Sequence, residues 1–385
     1  MLKNVFIKRT LKRTVFPLLT LVNKIVPKDD KIIFLYSANK GVQHNLIPLK
    51  EYLLNNKFDR KYRIICGVES LSYVDSFNDG ASYIGKYKSI FLFMRAGHVF
   101  YTTGQIPIKP AKNQIVIHLD HGTTSIKTGN LLTNINNGDD FYFTYYTVPS
   151  EIYIPVVKKE FLCEDKNIVI NGEPVMDILH DEKKHYTFDN KKKYGLWAPT
   201  FRQSDYLGYD DSSQEDLLPM FKESDYEELN SILQKNNVDL TVKLHPLQNL
   251  NGHKMLNFSN LHIYSDDDFK SLGYELYKYM RQMDFLIGDY SSVYLEYLVL
   301  DRPIAFAIPD LEEYSKKRGF IFDNIEQYMP GEKLYKKDDL YKFVMDIASN
   351  KDTYAELRRE LCSKIHHYND GQNCKRCLEI SNIYL

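Results

Sequence analysis

The chain has 385 residues, of which 43% are hydrophobic and 26% charged, and its formal net charge is −1. That length accommodates two domains of ordinary size. The composition excludes a largely disordered chain, and the near-zero charge excludes one built as a whole to coat nucleic acid.

Residues 1–28 carry the one local excess of charge. Lys3, Lys8, Arg9, Lys12, Arg13, Lys24 and Lys28 are interleaved with Phe6, Ile7, Leu11, Phe16, Leu18, Leu19, Val22, Ile25 and Val26, with no acid before Asp29. Such a basic amphipathic segment suits the surface of an anionic membrane. Pro17, Asn23 and Lys24 cut the apolar run well below the roughly 20 residues that span a bilayer. Neither the apolar core nor the cleavage site of a secretory signal is visible. An ordinary first helix packed on its own domain is the alternative reading.

Next come apolar, β-rich runs alternating with helical patterns. Strands are expected at 31–36, 62–67, 98–101, 114–119, 145–148 and 168–170, with helices over 46–54 and from 90. The polar stretch 181–190 and the triplet Lys191-Lys192-Lys193 read as a linker. The pattern then restarts, with strands at 195–199, 238–244, 261–264, 285–287 and 303–306 and helices around 229–233 and 272–280. The alternation predicts parallel sheets covered by helices. The expected domains are therefore a membrane-associating segment at 1–28, a Rossmann-like domain at 29–190 and a second at 191–385, whose last helix can pack back on the first domain.

Four predicted strand ends carry polar chemistry, which is where sheets of this kind place their sites. His118-Leu119-Asp120-His121-Gly122-Thr123 follows the first of them. There a histidine can take a proton near neutral pH, and Asp120 can orient it. Ala198-Pro199-Thr200-Phe201-Arg202 ends on a hydroxyl and a guanidinium suited to phosphate. Lys243-Leu244-His245-Pro246 ends on a second histidine. Gly288-Asp289-Tyr290-Ser291-Ser292 lies where a strand hands over to a helix; Asp289 or a serine there either caps the helix or helps hold a phosphate. Taken together, Arg202, His245, Ser291 and Ser292 suit a diphosphate better than a carboxylate or a metal.

Asp266-Asp267-Asp268 reads as a solvated helix cap. Neither a Walker A loop nor a G-x-G-x-x-G fingerprint is present, which argues against an NTPase and against NAD. Five cysteines fit a reducing compartment and make no disulfide framework. Cys374-x-x-Cys377, with His366 and His367 upstream, lacks the usual ligand spacing of structural zinc.

The set His121-Gly122-Thr123 with Lys127 and Gly129, Ala198 to Arg202, Lys243 to Pro246, and Asp289 to Val293 with Arg302-Pro303 resembles the CDP-glycerol glycerophosphotransferase family of bacterial teichoic acid and capsule-type polymer synthesis. Asp310 to Tyr314, Arg318-Gly319-Phe320 and Tyr368 to Gly371 add to the resemblance, which covers about residues 95–375 in the family's order. It implies a GT-B fold of two Rossmann-like domains facing a central cleft, with no metal and no cofactor. It also implies transfer of a polyol phosphate from CDP-glycerol, or next CDP-ribitol, to a hydroxyl of a lipid-linked saccharide or growing polymer. CMP is released, at the cytoplasmic face of the membrane.

On this resemblance His121 is the general base, and His245 and Arg202 hold the diphosphate. Ser291 and Ser292 bind phosphate oxygens, Asp289 shapes their turn, and Glu296 meets the ribose. Thr123, Lys127 and Thr200 complete the substrate-binding set. Asp120 stands where the family often has Trp, Thr124 where it usually has Pro, and Gly288 where a hydroxyl residue is common. These departures flank the acceptor side and the phosphate turn, so polyol and acceptor stay open, as does the choice of primase or polymerase. The alternatives are a GT-B glycosyltransferase using a nucleotide sugar and a non-catalytic partner of a membrane assembly.

Overall fold

Strand β1 shows why both faces of its sheet must be covered. Its residues are buried alternately on two sides: Ile33 and Leu35 enter one apolar core, and Ile32, Phe34 and Tyr36 enter another. A strand with two dry faces belongs inside a parallel sheet flanked by helices. The computed structural model describes residues 5–38, 41–74, 79–131, 141–183, 185–200, 203–204, 209–210, 216–246, 248 and 258–385. The chain divides into two units, Met1–Gly122 with Gly129–His180 and His366–Leu385, and Thr123–Thr128 with Asp181–Ile365.

The first unit runs α1 (Val5–Ile25), β1 (Asp29–Tyr36), α2 (Leu46–Asn55), β2 (Arg63–Val68), β3 (Ser82–Gly85), α3 (Lys86–Arg95), β4 (Ala96–Tyr101), β5 (Ile115–His118), β6 (Tyr145–Val148), α4 (Ile154–Phe161), β7 (Ile168–Ile170) and α5 (Val175–Leu179). Among the described residues its sheet has seven parallel strands in the order β3-β2-β1-β4-β5-β6-β7. Strand order reverses at β1, the place where open α/β sheets leave room for ligands at the carboxyl ends.

Helix α1 is continuous through Pro17. Phe16, Leu19 and Val26 pack on the core beneath α3, and buried Asn23 donates to Lys109 O at 2.9 Å and Gln114 Oε1 at 3.0 Å. The outward stripe is apolar, with Leu18, Leu21, Val22 and Ile25 exposed. No described helix is long and apolar enough to cross a membrane.

The second unit runs β8 (Lys193–Trp197), the short antiparallel pair β9 (Gln203–Ser204) and β10 (Tyr209–Asp210), α6 (Tyr226–Lys235), β11 (Val238–Lys243), β12 (Leu261–Tyr264), α7 (Asp266–Ser271), α8 (Leu276–Met280), β13 (Phe285–Gly288), α9 (Val293–Tyr297), β14 (Ile304–Ala307), α10 (Leu311–Lys317), β15 (Glu332–Leu334), α11 (Lys337–Ala348) and α12 (Ala355–Ile365). Its parallel sheet, again among the described residues, has the order β12-β11-β8-β13-β14-β15. Gly195 on β8 lets the Phe285 ring lie flat against the backbone; a Cβ there would stand 2.1 Å from the ring.

Helix α13 (Asn373–Ile380) belongs to the first unit. Asp177 accepts from its first backbone N–H groups, Asn373 N at 2.9 Å and Cys374 N at 2.7 Å. Cys374 and Cys377 point into the core, where burial pushes both thiols up. Among the described residues no group of three or more His, Cys, Asp or Glu could hold a metal ion.

Two local expectations change. The helix expected at 272–280 shortens to α8 (Leu276–Met280): α7 has already ended at Ser271, and Gly273, with a φ of +79°, breaks helical geometry between them. The 181–190 stretch, read as linker, packs with the second unit. The Gln282 side chain accepts from His185 N at 2.7 Å and Tyr186 N at 2.9 Å, and the Tyr186 ring meets Tyr274 edge-on at 5.2 Å.

Candidate active site

In the first unit the site forms at the carboxyl end of β5. The chain leaves the strand through Leu119 and turns sharply at Asp120, whose φ is +56°. Asp120 Oδ1 lies 2.7 Å from His121 Nδ1 and accepts from His121 N at 2.7 Å, while Oδ2 accepts the Tyr146 hydroxyl. Burial pushes the Asp120 carboxyl up, but the charge and hydrogen bond of His121, then His118 and Tyr146, outweigh it and hold it well below the usual carboxylate range. The contact places the imidazole proton on Nδ1 and leaves Nε2 as the ring's acceptor. The His121 side chain is 54% exposed, so a ligand can reach it.

His118, three residues upstream, has a different job. It is buried and stacks on Tyr101 at 4.4 Å, with its Nε2 2.7 Å from Thr102 O. Burial pushes its pKa down to about 4, so it is a neutral core side chain near neutral pH.

The turn is clamped from the start of α2. Asn45, fully buried, donates to Leu119 O at 2.9 Å and to Asp120 O at 3.3 Å, and accepts from Val175 N at 3.0 Å. Its neighbour His44 meets His121 edge-on at 6.0 Å. Sequence reading missed Asn45 and Tyr146. Asn45 had a signal, since it too stands between a strand and the start of a helix. Tyr146 had none, because within β6 it reads as an ordinary apolar position.

In the second unit the ends of β8 and β13 are tied together. Ala198 N donates to Ile287 O at 3.0 Å. Buried Asp289 accepts from Thr200 N at 2.8 Å, from the Thr200 hydroxyl, from Tyr290 N at 2.6 Å and from Ser291 N at 3.3 Å. Thr200, Asp289 and Ser291 therefore come together, and Asp289 builds the turn instead of capping α9. Ser292, at the N-cap position, makes no side-chain cap bond. Helix α9 has five residues before a short 3-10 turn, so its dipole is small.

His245 follows β11, and burial, then the charge of Lys243, push its pKa below the ordinary histidine value. Lys243 itself is paired with Asp266 at 2.8 Å, while Ser265 and Asp268 form the capping box of α7. Glu296 is fully buried and accepts the Tyr277 hydroxyl at 2.8 Å. Arg202 lies outside the described residues.

Thr123 and Lys127 lie on a segment that packs within the second unit. Ile126 bridges Phe320, Lys127 N donates to Gly319 O at 3.1 Å, and Ile321 N donates to Ser125 O at 2.9 Å. Thr123 is buried there, whereas the Lys127 side chain is exposed. The same corner stacks Tyr290 on Tyr314 at 4.0 Å, and the Tyr290 hydroxyl donates to Asp310 at 2.8 Å. The Asp310–Tyr314 and Arg318–Phe320 motifs thus brace the serine turn.

The family model described as CDP-Glycerol:Poly(glycerophosphate) glycerophosphotransferase matches residues 18–380. The chain belongs to that family. It is 27% identical over 372 residues to the teichoic acid ribitol-phosphate polymerase TarL of Staphylococcus aureus (strain NCTC 8325 / PS 47), covering 91% of this chain and 62% of TarL. It is 32% identical over 243 residues to the teichoic acid glycerol-phosphate primase of Bacillus subtilis (strain 168), covering 61% of this chain and 56% of that protein. The chain thus spans somewhat over half the length of these two family members. The fold is the GT-B class implied by the resemblance. The solved wall teichoic acid polymerase TagF superposes with a TM-score of 0.74 at 19% identity, over 99% of this chain and 95% of TagF. A TagF variant has also been solved after a soak with CDPG.

Proposed function

We propose that the protein transfers a polyol phosphate, glycerol phosphate first, from a CDP-activated donor to a hydroxyl of a lipid-linked or polymeric glycan acceptor. The observation that carries this reading is the His121 imidazole, exposed and fixed in one tautomer by a buried carboxylate. Family membership and the CDPG soak of TagF support the donor class.

In this reading His121 Nε2 takes the acceptor hydroxyl's proton as its oxygen attacks the phosphorus next to the polyol. A new P–O bond forms, the P–O bond to the cytidylate breaks, and CMP leaves with the electron pair. Such a transfer relies on positioning and charge stabilisation, with little covalent help from the protein. Ser291 and Ser292 hold phosphate oxygens on the turn that Asp289 fixes. His245 donates one N–H to the diphosphate as CMP leaves, and Arg202 adds a fixed cation. Thr123, Lys127 and Thr200 contribute to substrate binding, and Glu296 with Tyr277 sets the ribose side.

The outward apolar stripe of α1 and the basic residues among 1–28 support a position on the cytoplasmic face of the membrane, where a lipid-linked acceptor would be presented. The test is incubation with CDP-glycerol or CDP-ribitol and lipid-linked acceptors, following CMP release and examining the product by phosphorus NMR and mass. A new phosphodiester with stoichiometric CMP is expected. A product with a glycosidic bond and no new phosphodiester, or no CMP from either donor, would overturn the reading.

A further inference from the structure

Asp120 can serve His121 only if its carboxylate is held still, and the structure shows an unusual amount of holding. A non-glycine residue with φ of +56° sits in a sparsely populated region, a strain on the order of 1 kcal/mol or more. The Asn45 bonds to the carbonyls of Leu119 and Asp120 fix that backbone from the start of α2. The left-handed turn folds Oδ1 back onto both nitrogens His121 offers it, the backbone N–H and Nδ1. It leaves Oδ2 pointing at the neighbouring strand β6.

We propose that Tyr146 is a positioning residue of the transfer reaction: its phenol holds Asp120 Oδ2, so that Asp120 fixes the His121 tautomer and sets how readily His121 takes a proton. Tyr146, Asp120 and His121 then act as one relay, resting on the reading of His121 as the acceptor's base. The phenol is suited to this task. Its ring is locked between His118, edge-on at 4.7 Å, and Phe161 at 4.6 Å. Burial first, then the charges of Asp120, Glu160 and Glu173, push its ionisation far above the ordinary tyrosine value, so it remains an O–H donor.

The other titratable groups around the carboxylate are His118, neutral at its pKa of about 4, Tyr101, whose phenol is likewise pushed up by burial, and His44 beside the imidazole. The donor that meets Oδ2 is the Tyr146 hydroxyl. A tyrosine that only filled the core would work equally well as phenylalanine. The phenol's bond to a carboxylate that itself holds the base is what distinguishes the two roles.

Two substitutions separate them, because they push the base in opposite directions. In Asp120→Asn the imidazolium loses its anion, so His121 deprotonates more easily and the acid limb of the pH–rate profile moves to lower pH. Turnover falls roughly 100-fold or more as the tautomer is freed. In Tyr146→Phe the carboxylate keeps its charge but loses a stabilising donor, so it grips the His121 proton more tightly and the acid limb moves to higher pH. Turnover there falls roughly 10-fold, the scale of one charge-assisted hydrogen bond.

The experiment measures kcat and KM for CDP-glycerol across pH for both variants, with the thermal midpoint of each as a folding check. Nitrogen NMR of isotope-labelled histidine reads the His121 tautomer directly. Opposite shifts of the acid limb, an unchanged donor KM and a Nδ1–H tautomer lost in Asp120→Asn are the expected results. A Tyr146→Phe enzyme with the parent pH profile and turnover overturns the relay. If His121→Ala also keeps its activity, the base assignment itself fails; if that variant is inactive, only the role of Tyr146 does.

Discussion

Asp120 and Asp289 occupy the same place in their two sheets, one step past a buried strand, yet their carboxylates do different work. Asp289 accepts from three backbone N–H groups and the Thr200 hydroxyl, and so holds a turn together. Asp120 accepts one backbone N–H, and its remaining partners are the side chains of His121 and Tyr146. An acid whose partners are backbone builds a site, and an acid whose partners are titratable side chains tunes one. The first should show in stability, and the second in the pH dependence of turnover.

The largest effect should come from Asp289→Ala. It leaves several donors without an acceptor in a fully buried place, a loss of about 4 kcal/mol in unfolding free energy by chemical denaturation. A variant of parent stability would show that Asp289 is not the brace described. Asp120→Asn, by contrast, should lower stability far less than it lowers turnover.

Next in size is the contrast between the two histidines of the His121 segment. The pKa of His118 is pushed down to about 4 by burial, so the unfolded chain binds its proton more readily than the native state. Its contribution is therefore fully present above the ordinary histidine value and is lost as pH falls from there towards 4, by about 3 kcal/mol. Asp120, with its lowered pKa, contributes in the same direction only at more acid pH, as its carboxylate is protonated. His118→Gln, whose amide reaches the Nε2 position and keeps a donor for Thr102 O, should flatten the loss of stability between pH values near 6.5 and 4, followed by urea unfolding across that range. An unchanged slope would assign the acid sensitivity to another group.

The smallest effect is expected at Gly288. A Cβ there would meet Tyr294 Cβ at 3.5 Å, an ordinary contact, so the hydroxyl residue common in the family fits this backbone. Gly288→Ser should leave the thermal midpoint within the shift expected for about 0.5 kcal/mol. Any change in preference between CDP-glycerol and CDP-ribitol would then mark the serine turn as the place where the polyol is read.

Most strands were legible because parallel sheets bury them on both faces: continuous apolar runs such as 32–36 and 285–287 leave little choice, and 238–244 alternates apolar with polar residues at the period of a strand. Two edge strands were not, since Ser82–Gly85 and Glu332–Leu334 are short and half polar, whereas the edge strands at 168–170 and 261–264 were expected. Segment Thr123–Thr128 shows a second limit. Its membership in the second unit depends on Phe320 and Gly319, some 190 residues away, and no local pattern encodes such pairing. Candidate residues were readable where a polar side chain interrupts an apolar strand end. The partners that give them meaning, Asn45 at the start of α2 and Tyr146 on β6, come from other elements, and their contacts could be found only once the sheet order was known.

The most direct test is turnover and donor binding measured together on His121→Ala. A fall of roughly 10²–10⁴-fold in CMP release, with CDP-glycerol still bound at near-parent affinity, is expected if His121 is the base. Near-parent turnover, or loss of CDP-glycerol binding in place of turnover, would contradict that assignment.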